Sequence, residues 1–83
     1  MRGIGPVRIG GEVVYAYFVV DGRTAKLRLS PDECHRHELF RGQQARIGLD
    51  GREAVSALVT AVVPAPPFVW VEAEIAVAAK RAG

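Results

Sequence analysis

The stretch "EVVYAYFVVDGRTAKLRLS", Glu12 to Ser30, decides the fold. Its first arm is a run of β-branched and aromatic residues, and its second arm alternates, with Ala25, Leu27 and Leu29 on one face and Thr24, Lys26 and Arg28 on the other. Asp21-Gly22 stands between them, a dipeptide that tolerates the positive φ angles of two-residue hairpin loops. The stretch predicts a β-hairpin with one buried and one wet face. With Asp21-Gly22 as the loop, Tyr17 would pair with Lys26, Tyr15 with Arg28 and Val19 with Thr24. Phe18, Ala16, Leu27 and Leu29 then point to the core, and Tyr15 and Tyr17 stand outside between two cations.

After Ser30 the period changes. Ser30 suits an N-cap, Pro31 the first helical position, and Glu33 completes a capping box, so a short helix is predicted at about 31–41, ended by Gly42. Leu39 and Phe40 would dock it on the sheet. Beyond it, "QARIGL" places Ala45, Ile47 and Leu49 on one face, and "GLDGREA" repeats the Asp-Gly turn signal. The shared D-G-R-x-A needs no duplication, because turn chemistry alone accounts for its first two residues. "EAVSALVTAVV" reads as a long arm with Val55, Val59 and Val63 in alternation, and Pro64 to Pro67 as a loop or edge crossover. "FVWVEAEIAV" alternates once more, with Val69, Val71, Ala73, Ile75 and Val77 opposite Phe68, Trp70, Glu72 and Glu74. Residues 78–83 read as a frayed tail. Upstream, "GIGPVRIGG" reads as a bend, its Gly10-Gly11 able to turn a barrel corner, and it lacks the spacing of a phosphate loop.

The predicted order is strand, strand, helix, strand, strand, strand in one domain spanning 1–83. It points to a mainly β, five-stranded, partly closed barrel of the OB-like or SH3-like kind. An open α+β sheet is the alternative. A chain of 83 residues with 49% apolar content supports one modest core and no large pocket. The single Cys forms no internal disulfide, no apolar run approaches the length of a membrane span, and the first residues lack an apolar signal core, so a cytoplasmic protein is expected. The absence of Asn and the scarcity of Gln, Cys and Met suit a thermophile.

Charge narrows the function classes. Eleven Lys and Arg against nine Asp and Glu give +2, so attraction to nucleic acid would have to be local. "SPDECHRHELF", Ser30 to Phe40, concentrates the chain's one Cys and both His. On a helix Cys34 and His37 share a face while His35 turns about 100° away from Cys34. No further Cys or His exists to complete a zinc set, so neither a metal, a cofactor nor a catalytic Cys–His pair is expected, and an enzyme is the least favoured class.

The exposed side of the hairpin carries the functional expectation. Tyr15, Tyr17, Lys26 and Arg28, extended by Arg46, form an aromatic and basic set suited to RNA or single-stranded nucleic acid, because rings stack on bases while cations track phosphates. Phe68 and Trp70 on the last strand instead suggest a protein interface, and that Val- and Ala-rich strand, read as an edge strand, invites a homodimer. The order of elements resembles that of small barrels attached to ribosomes, RNA polymerases and other ribonucleoproteins. That resemblance implies an accessory module of a nucleic-acid-handling complex.

Overall fold

The computed structural model describes residues 1–75. The chain forms a mainly β closed barrel of six antiparallel strands: β1 (Arg2–Ile9), β2 (Glu12–Asp21), β3 (Thr24–Leu29), β4 (Gln44–Leu49), β5 (Val55–Ala65) and β6 (Phe68–Ile75), with a helix, α1 (Pro31–Arg36), between β3 and β4. Around the barrel the order is β1-β2-β3-β6-β5-β4, closed where β4 pairs with β1. β1, β2 and β3 follow one another as hairpins and β4 returns beside β1, which is a Greek key.

The barrel has one strand more than the periodicity predicts. The segment read as a bend is β1, paired along its whole length with β2 from Arg2–Val19 to Ile9–Glu12. Its alternation is hidden because glycines occupy two of its inward positions. A Cβ on Gly3 would lie 3.5 Å, and one on Gly5 3.8 Å, from the Phe18 ring across the strand pair, so Phe18 fills the space the glycines leave.

The β2–β3 hairpin turns through Gly22-Arg23 rather than Asp21-Gly22: Asp21 pairs with Thr24, Tyr17 with Arg28 and Val19 with Lys26. Gly22 supplies a φ of +62°, the demand of a two-residue loop with glycine in its first position. The slip is two residues. Since side chains alternate with period two, it changes partners without changing faces, and Phe18 is 3% exposed while Tyr15 is 76% exposed.

At the second Asp-Gly signal, Asp50 and Gly51 both adopt positive φ, and the Arg52 amide donates to the Leu49 carbonyl at 3.0 Å. β5 nevertheless starts only at Val55, which pairs with Ile47. The loop folds back over Gly48, where a Cβ would lie 2.8 Å from the Glu53 carbonyl atoms.

β5 runs through Pro64 to Ala65, and Pro66-Pro67, joined by a cis peptide, is the whole of the β5–β6 turn. Residues 60–65 lie beyond the end of β4, so Pro64 sits where β5 has a single neighbour and its missing N–H is tolerated. A bulge between Val59 and Ala61 makes Thr60 the extra residue, with its hydroxyl donating to the Glu72 carbonyl at 3.1 Å. The bulge breaks the expected Val55-Val59-Val63 face after Val59, which is buried, and turns Val63 outward; Val55, at the start of the strand beside Ile47, is exposed on the barrel end.

α1 begins as predicted. The Glu33 amide donates to Ser30 Oγ and the Ser30 amide to the Glu33 carboxylate, both at 3.1 Å, with Pro31 at the start. It ends at Arg36, well short of 41, because Glu38 enters the left-handed region at φ 55° and turns Leu39 into the core. Leu39 and Cys34 are buried with the barrel residues, but Phe40 is not docked; it is exposed, edge-on to His35. The core gathers Val7, Ile9, Phe18, Leu27, Leu29, Ile47, Val59 and Val71 from all six strands. β6 lies between β3 and β5 and is not an edge strand. Val77 and the 78–83 tail lie outside the described residues.

Candidate interaction face

Alternation and register together build one outer row across five strands. Ile4 of β1 pairs with Tyr17 of β2, Tyr17 with Arg28 of β3, Arg28 with Trp70 of β6, and Trp70 with Val63 of β5. Flanking it on one side are Tyr15, beside Pro6, and Phe68, beside Ala65; on the other are Val19, Lys26, Glu72 and Ala61. The two sets that looked separate in the sequence, the tyrosines with their cations and the Phe68–Trp70 pair, are thus one continuous face.

Its geometry is specific. Tyr17 and Trp70 meet edge to face, with ring centroids 5.8 Å apart and planes at 77°. The Arg28 guanidinium lies between two rings, 5.3 Å from the Tyr17 centroid and 4.8 Å from that of Phe68. Such contacts are worth about 0.5–1 kcal/mol each at exposed sites and hold the fork in place. Lys26 and Glu72 face each other at 3.8 Å, both half exposed, a pair of at most about 1 kcal/mol. Tyr17, Val19, Lys26, Val63, Trp70 and Glu72 line a shallow depression of about 450 Å³.

Two aliphatic members escaped the sequence reading. Ile4 is 71% exposed on a strand hidden by glycines, and Val63 is 52% exposed only because the Thr60 bulge turns it outward. No hydropathy pattern signals either.

Arg46 does not join this face. It lies on β4, between β1 and β5, and its guanidinium donates to the Ala54 carbonyl at 2.8 Å beside Arg8 and Gly10, around a separate polar depression. The Cys–His stretch also disperses. Cys34 points inward and its thiol donates to the Leu39 carbonyl at 3.3 Å; His35 packs against Phe40; His37 Nε2 lies 3.2 Å from a Glu12 carboxylate oxygen. Burial pushes the Cys34 thiol pKa up, which keeps it protonated and unreactive. Among the described residues no three His, Cys, Asp or Glu side chains gather as metal ligands would, and no helix is long and apolar enough to cross a membrane.

No family model matches this chain, and neither the curated proteins nor the solved structures contain a match to it.

Proposed function

We propose that the barrel is a non-enzymatic protein-interaction module that docks a partner polypeptide on the outer face of β1, β2, β3, β6 and β5. One observation carries this reading: the unbroken row Ile4, Tyr17, Arg28, Trp70 and Val63, in which two exposed aliphatic and two half-buried aromatic side chains surround an arginine. Contiguous apolar patches of this kind mark docking surfaces, and Tyr, Trp and Arg supply most of the energy in known interfaces.

Electrostatics favours protein over nucleic acid. Arg2, Arg8, Lys26 and Arg28 lie on these strands, but so do Glu12, Asp21, Glu72 and Glu74, four cations against four carboxylates. A polyanion finds no net attraction there, and phosphate neutralisation is the main source of nucleic-acid affinity. Binding of RNA or single-stranded nucleic acid is the second reading. It is favoured by Tyr15, whose ring is free to stack, and by Arg28, which has no carboxylate partner among the described residues. The unpaired cysteine suits a reducing compartment such as the cytoplasm.

The test is parallel selection of a random peptide library and a random single-stranded RNA library, on the wild-type barrel and on a Tyr17→Ala, Phe68→Ala variant. The docking reading expects peptides to enrich on the wild type and to be lost on the variant. Enrichment of RNA alone, with affinity falling steeply in salt, would replace it with the second reading.

A further inference from the structure

The structure also restricts the conformation of what can dock. We infer that the docked segment is a proline-bearing polyproline II peptide, with a proline ring seated in the corner between Tyr17 and Trp70. This rests on the reading of the face as a protein-docking surface.

Hydrogen bonding sets the first restriction. At the corner β2 is bonded to β1 and β3, β3 to β2 and β6, and β6 to β3 and β5, so the sheet offers a ligand no free backbone donor or acceptor. Strand addition needs an edge, and this is the middle of a sheet. An extended chain laid on the apolar row would press unpaired N–H groups against it, at the cost of their desolvation. A polyproline II segment avoids that cost. Its backbone has no internal hydrogen bonds and stays in water on the outer side, and proline has no N–H to leave unpaired.

Shape makes the same choice. Two rings at 77° form an upright wall and a floor, and Val19 and Val63 complete an apolar seat for one compact ring. A helix anchored by residues over two turns needs a groove of about 10 Å or more, whereas this depression is closed on one side by the Lys26–Glu72 pair. On the opposite side the Arg28 fork, held between Tyr17 and Phe68, is placed to accept a carboxylate of the peptide next to the proline.

Trp70 is the chain's only tryptophan, so its fluorescence reports this corner directly. The experiment titrates the full chain with decaproline, with the same peptide carrying a terminal Asp-Asp, and with a ten-residue Gly-Ser control, to about 1 mM, the weak end of useful affinity. A saturable change in Trp70 emission is expected with decaproline, tighter with the acidic version, and absent with Gly-Ser. Tyr17→Ala retains the probe and should weaken binding at least about tenfold, while the far-ultraviolet circular dichroism shows the barrel intact. No response to decaproline, an equal response to Gly-Ser, or an unchanged affinity in Tyr17→Ala overturns the inference. The two levels separate cleanly. If library-selected peptides bind in a Tyr17-dependent way while decaproline does not, the proline assignment falls and the docking face stands; if a ten-nucleotide oligothymidylate alone shifts Trp70, or a Tyr17-dependent dimer forms in sedimentation, both fall.

Discussion

Replacing Phe18 and Tyr15 separately should split stability from surface. Phe18 is 3% exposed and its ring covers Gly3 and Gly5, so Phe18→Ala empties a space walled on one side by residues without side chains. Neighbours cannot collapse into it, which puts the loss at the upper end of the ~3–5 kcal/mol typical of such truncations. An 83-residue domain has only about 4–12 kcal/mol in total. Converted at about 4–8 °C per kcal/mol, a loss of about 5 kcal/mol should lower the melting temperature by roughly 20–40 °C. Tyr15, two positions from Tyr17 on the same outer face and 76% exposed, should shift stability by no more than about 0.5 kcal/mol when changed to Ala. Thermal and urea denaturation of the two variants beside the wild type measure both numbers. Equal destabilisation by the two replacements, or a larger one from Tyr15→Ala, would refute the register and with it the outer face.

Three other outcomes follow from local geometry. Gly48→Ala should cost about 1–3 kcal/mol in urea denaturation, because its Cβ would meet the Arg52 and Glu53 backbone rather than a flexible side-chain end. Ser30→Ala removes half of the α1 capping box and should cost about 0.5–2 kcal/mol by the same assay, with Ser30→Asp restoring most of it. Burial raises the Cys34 thiol pKa in the fold, so the folded chain holds that proton more tightly than the unfolded chain. Its contribution is fully present below the unfolded thiol pKa and is lost as pH rises from ~8.5 through the raised folded value. Stability followed across that window should decline, and Cys34→Ala should remove this part of the decline.

The barrel class was legible because most of its strands alternate: β3, β4 and β6 show their inward residues directly, and an error of two in the β2–β3 register left the faces unchanged. What stayed hidden did so for identifiable reasons. β1 presents glycines where a pattern search expects bulk, and those glycines make sense only once Phe18 is known to lie opposite. The bulge at Thr60 reverses the alternation of β5, so Val63, in step with Val59 by residue count, lies on the surface while Val59 is buried. The early end of α1 depends on a left-handed Glu38, a conformation no propensity favours. The site was half legible. Each aromatic was placed on the correct side of its own strand, but joining them needed the β3–β6 pairing, a long-range contact that alternation does not encode. The same topology left Arg46 on another wall.

The most direct test of the docking face is a two-dimensional amide and indole NMR titration of the uniformly 15N-labelled chain with a library-selected peptide. The account predicts that shifts concentrate on the Trp70 indole N–H, the Arg28 Nε–H and the amides of Tyr15, Tyr17, Lys26 and Phe68, leaving β4 and α1 still. Shifts centred instead on Arg8 and Arg46, or on the helix around Cys34, would contradict it.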